Sequence, residues 1–110
     1  MKVDLNIAEI PYETGEIKFR YSRYLSEDGA RWVRHGLFRA YHMNGTLASE
    51  GEYIDGLEQG LWRDYHENGQ LAAEGYYEKG EEVGEWRFWH PDGALSTDTD
   101  RKTGSDHSFP

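Results

Sequence analysis

The stretch GLWRDYHENGQLAAEGYYEKG at residues 60–80 decides the fold, because the chain writes it nearly three times. Twenty-four residues upstream stands GLFRAYHMNGTLASEGEYIDG, and twenty-four downstream GEWRFWHPDGAL. Residues 36–59 and 60–83 agree at 14 of 24 positions, and 84–95 agree with 60–71 at 6 of 12. A fixed period of about 20–50 residues marks a chain whose units pack on their neighbours, since one unit cannot bury its apolar face alone.

Each unit reads as a β-hairpin. The first arm, GLFRAY, GLWRDY or GEWRFW, is short and aromatic, and the second is TLASEGEY or QLAAEGYY. HMNG, HENG and HPDG between them are strong turn signals. Pro91 needs φ near −65°, which suits the second position of a type I turn and excludes type I′. The expected loop therefore has three residues and closes on Gly45, Gly69 or Gly93 in the left-handed conformation. A second glycine pair, Gly56–Gly60 and Gly80–Gly84, is expected to turn the chain into the next hairpin. Helix is disfavoured, because glycines interrupt residues 36–93 every four to nine positions.

Upstream, YETGEIKFRYSRY (12–24) places a turn at Gly15 and then alternates Ile17, Phe19, Tyr21 with Lys18, Arg20, Ser22. It is a degenerate unit of the same kind. The expected organisation is one repeat domain over 1–97, with the degenerate unit at 12–35 and repeats at 36–59, 60–83 and 84–97. TDTDRKTGSDHSFP lacks periodicity, so 98–110 is expected to be a disordered tail. With 110 residues the chain holds one domain, and its 4 Trp, 8 Tyr and 4 Phe allow a thin aromatic core. It has no cysteine, which excludes disulfides and thiolate metal sites. MKVDLNIAEIP carries Asp4 and Glu9 and is too polar and short for a signal peptide, so a cytoplasmic location is expected.

The pattern G-x-W-x-x-Y-x-x-N-G-x-L-x-x-E-G-x-Y-x-x-G, as in 60–80, resembles the MORN-type repeat. It is most similar to the variant in bacterial proteins of the YwqK antitoxin-like family. The resemblance covers about residues 12–95. It implies an all-β fold of consecutive antiparallel hairpins in an open, curved, single-layer sheet. It also implies a non-enzymatic binding role, which in antitoxin-like members is the neutralisation of a toxin.

Charge gives the expected partner its sign. The net charge is −9, and residues 44–85 alone hold 11 acids against Arg63 and Lys79. Such a surface repels nucleic acid and anionic membranes and attracts a basic protein. Glu52, Asp55, Glu58, Glu78, Glu81 and Glu82 flank the links between hairpins and are the expected contacts. Phe38, Trp62 and Trp86 form one aromatic series, and Tyr41, Tyr65 and Trp89 another. Three residues separate the two, so they nominally face opposite sides of the sheet. One series is expected in the core, while Tyr41, Tyr65 and Trp89 join the acids on the binding face.

Three catalytic or ligand readings fail on geometry. His42, His66 and His90 recur at one place per unit, but equivalent positions lie roughly 10 Å apart across a sheet. Zinc needs nitrogens at about 2.0 Å, so one metal cannot bridge them. Each histidine is expected to bond loop backbone instead. Glu50 and Glu74 are likewise too far apart for a carboxylate pair at about 5–9.5 Å, and are expected to bond backbone or Arg39 and Arg63. GLEQG (56–60) and GEEVG (80–84) put acids where a phosphate would sit. No cofactor, metal or catalytic residue is expected. The rival reading is a structural or membrane-associated scaffold in which the repeats only set distance and shape.

Overall fold

The computed structural model describes residues 4–96. These residues form one open, seven-stranded antiparallel sheet in strict chain order. The strands are β1 (Asn6–Pro11), β2 (Ile17–Leu25), β3 (Trp32–Tyr41), β4 (Leu47–Ile54), β5 (Leu57–Tyr65), β6 (Leu71–Glu78) and β7 (Glu81–Phe88). The first hairpin draws its outer arm from residues 6–11, upstream of the degenerate unit's expected start at 12. The expected tail at 98–110 lies outside the described residues.

The loops follow from their residues. In Met43–Gly45 the Gly45 N–H donates to the His42 carbonyl at 2.9 Å, while Gly45 has φ of 91°. Residues 66–70 and 90–94 repeat this pattern, so these are three-residue loops ending in a left-handed glycine. The opposite end of the sheet departs from expectation. There Asp55–Gly56 and Lys79–Gly80 have φ of 50°, 89°, 51° and 85°, the positive pairs of tight I′-type hairpin turns. Gly60 and Gly84 are not in these links. They lie inside β5 and β7, where the register jumps. Glu50 pairs Arg63 and Glu52 pairs Gln59, so Gly51 alone opposes residues 60–62. This bulge needs positive φ, 82° at Gly60 and 71° at Gly84.

The bulges explain the core. Phe19, Phe38, Tyr53, Trp62, Tyr77 and Trp86 run in file across one face, neighbouring ring centroids 5.2–6.0 Å apart. Phe38 and Trp62 reach zero exposure although no second layer among the described residues covers them. Each such ring removes roughly 150–250 Å² from water, or about 4–6 kcal/mol of transfer free energy. Trp62 gains its place by lying flat on the bare backbone of Gly51, and Trp86 by lying on Gly75. In the first unit the smaller Phe38 stands at the tryptophan position, and Tyr21 rather than a glycine is its partner on β2, the two rings 5.8 Å apart.

Units are also fastened at both ends. The His42 Nε2–H donates to Tyr65 O at 2.8 Å, and that of His66 to Trp89 O at 2.9 Å. Tyr12 does the same through its hydroxyl to Tyr41 O at 2.6 Å. At the link end the Asp55 and Lys79 N–H groups donate to His35 Nδ1 and Gln59 Oε1, both at 3.0 Å. The histidine ladder thus bonds backbone, but that of the following unit.

Candidate protein-binding surface

Strand alternation separates two faces. One carries the aromatic file. The other, here the outer face, carries Leu37, Arg39, Glu50, Glu52, Gln59, Leu61, Arg63, Glu74, Tyr76 and Arg87. Directly opposed residues make a charge ladder across the sheet: Glu9, Arg20, Arg39, Glu50, Arg63, Glu74, Arg87. Arg39 Nε lies 3.0 Å from Glu50 Oε2, and Arg63 Nε 2.8 Å from Glu74 Oε2. The bond to Glu50 holds the Arg39 guanidinium above its ordinary pKa, and Glu74 does so for Arg63. Glu50 and Glu74 therefore serve the ladder and carry little free charge. Such half-exposed pairs contribute about 0–1 kcal/mol each.

The expected contact residues do not form one site. Tyr41, Tyr65 and Trp89 stand half-buried on the outer face where β3, β5 and β7 run out, beside the three-residue loops. Five of the six acids flank the links at the other end. Glu58 and Tyr65 are separated by seven residues of β5, roughly 20 Å at about 3.3 Å per residue. Sequence spacing gave no warning, because both groups recur with one period.

Nor are the acids equivalent. The Asp55 carboxylate accepts from the Tyr24 hydroxyl at 2.8 Å and lies 3.4 Å from His35 Nδ1. That hydrogen bond raises the pKa of Tyr24. Glu58 and Glu82 sit opposite Tyr53 and Tyr77 on the aromatic face. Burial raises the Tyr77 pKa above its ordinary value, and the nearby Glu82 and Glu58 raise it further. Glu78 and Glu81 face one another directly across β6 and β7. Glu52 stands exposed on the outer face, two residues before the end of β4.

Exposed apolar side chains missed by sequence reasoning share that outer face. Leu37, Ile54, Leu57, Tyr76 and Val83 are each at least 40% exposed. Their alternation with Phe38, Tyr53, Glu58, Tyr77 and Glu82 was the available signal. Beside them, Leu37, Glu50, Glu52, Gln59, Gly60, Leu61 and Arg63 line a depression of about 410 Å³ where the β4–β5 bulge opens the sheet.

An open sheet of near-identical hairpins is the geometry of a repeat module that acts by contact. Comparison with known families agrees. The MORN repeat variant matches residues 34–55 and 58–79, so two successive units of the sheet are MORN-type repeats. Repeats of this class are modules that bind proteins or membranes and are not themselves catalytic. Comparisons with curated proteins and with solved structures returned no match.

Proposed function

We propose that this protein is a non-enzymatic binding module of antitoxin or immunity type. Its acidic middle repeats would neutralise a basic protein, such as a nuclease whose active site expects a polyanion. The observation that carries the reading is the concentration of charge: 11 acids against two bases in residues 44–85. Only part of that excess serves the fold. Glu50 and Glu74 are paired with arginines, whereas Glu78 and Glu81 repel one another across the strands. Carboxylates that do not stabilise the free protein fit a role in attracting a partner.

The test is to express the tagged chain in its native host and identify bound proteins by mass spectrometry. The basic protein recovered is then expressed alone and together with the chain. A basic partner whose toxicity is relieved by co-expression supports the reading. Flotation of the chain with anionic liposomes, with no protein partner recovered, would favour the membrane scaffold instead.

A further inference from the structure

We infer that the depression on the outer face at the β4–β5 bulge seats a lysine or arginine side chain of a basic protein partner. This deepens the proposed function and rests on its reading of the partner's charge. Leu37 and Leu61 hold equivalent places in successive units, and together they give the hollow apolar walls. Among its charged groups Glu50 is bound to Arg39 and Arg63 to Glu74, so their charges are spent on each other. Glu52 is different, because its carboxylate has no ion-pair or hydrogen-bond partner among the described residues. The hollow therefore offers one free negative charge beside two aliphatic walls.

That combination matches a cation on an aliphatic stem. The stem of a lysine or arginine can lie along Leu37 and Leu61 while its head meets Glu52. A phosphate or carboxylate would meet Glu52 with the wrong sign, and a purely apolar group would leave Glu52 desolvated. The surroundings extend the match. Leu57, Tyr76 and Val83 continue an apolar strip towards β7, edged by Glu78 and Glu81. An extended segment alternating basic and apolar residues complements this strip. The seat belongs to the middle of the sheet, because the next unit carries Tyr76 where this one carries Glu52.

Two fluorescein-labelled octapeptides of equal charge serve as probes, one alternating lysine with leucine and one alternating lysine with glycine. Their binding to the full chain is followed by fluorescence anisotropy and by amide NMR shifts. The lysine–leucine peptide should bind more tightly and shift the amides of Leu37, Glu52, Gln59 and Leu61. Glu52→Gln and Leu37→Ser should each weaken it about fivefold or more, in line with loss of one charge contact or one anchor wall. Both residues are exposed, so unchanged melting curves will confirm that the fold is intact. Joint replacement Glu78→Gln and Glu81→Gln should matter less. Equal affinity for the two peptides, or shifts confined to the links with Glu52→Gln behaving as wild type, overturns the seat and leaves the acidic-surface reading standing. Failure of both peptides to bind even at low salt counts against both.

Discussion

A Cβ atom added to Gly51 would lie 2.0 Å from the ring of Trp62, and one added to Gly75 would lie 2.1 Å from that of Trp86. Neither glycine has the positive φ that explains the other described glycines, so each is held by contact. Gly51→Ser should cost about 3 kcal/mol by overpacking, measured by urea denaturation. In a Trp62→Phe background the same change should cost at least about 1 kcal/mol less, because the smaller ring leaves room over residue 51 for the added atoms. Additive effects would show that the ring does not set the glycine.

The inter-unit fasteners give a second expectation. His66→Ala leaves Trp89 O without its donor and should cost about 1 kcal/mol. His66→Gln, which keeps a terminal N–H of similar reach, should recover most of it. At the neighbouring loop, Gly69 has φ of 90° with nothing within 4 Å of a built Cβ, so only the backbone opposes a side chain there. Gly69→Val should cost about 1–3 kcal/mol. Asn68→Ala loses bonds to Pro91 O and from Gln70 N–H in an exposed loop, and should cost less. Equal losses would contradict the left-handed assignment of Gly69.

Alkaline pH should single out Tyr77. Its folded pKa is raised, chiefly by burial and then by Glu82 and Glu58, so the folded state favours the neutral phenol. The unfolded chain ionises near pH 10, where an unperturbed tyrosine does. Tyr77 therefore contributes fully below that pH, and its contribution falls as pH rises towards the folded value. The slope is at most about 1.4 kcal/mol per pH unit for this one group. Tyr77→Phe should flatten the fall in stability between pH 10 and 12 relative to wild type, while Tyr76→Phe, on the exposed side of β6, should not.

Period and turn residues made the architecture legible before any coordinates. The 24-residue repeat gave consecutive hairpins, and Pro91 alone chose the loop type, because its ring forbids positive φ. The bulges were not legible. Gly60 and Gly84 look like link glycines in sequence, being four residues from Gly56 and Gly80, and only pairing shows that they lie in strands. Asp55–Gly56 was a strong turn signal in its own right, overlooked because the second glycine drew the turn towards itself. Residues 6–11 were hidden by having no counterpart at the repeat spacing. The candidate surface was half legible: composition reveals an acidic middle, but burial and partners decide which acids are free. Asp55 is engaged by Tyr24, Glu50 and Glu74 by arginines, and Glu52 by no described side chain.

The same distinction shapes the test of charge steering. Replacing Glu52, Asp55, Glu58, Glu78, Glu81 and Glu82 by their amides removes six charges and keeps every side chain's shape. The Asn that replaces Asp55 can still accept from the Tyr24 hydroxyl, so the link should survive. Relief of the opposed pair Glu78 and Glu81 should raise stability by a few tenths of a kcal/mol, up to about 1. Against the basic partner, the association rate should fall at low ionic strength and lose most of its salt dependence, because long-range attraction acts on encounter. Dissociation should change less, except through Glu52, whose contact is short-range. Stopped-flow association at low and high salt, for wild type, the six-fold variant and Glu52→Gln alone, separates the two roles. A six-fold variant that associates as fast as wild type at low salt would refute steering by these acids and leave Tyr41, Tyr65 and Trp89, at the far end of the sheet, as the contacts to test.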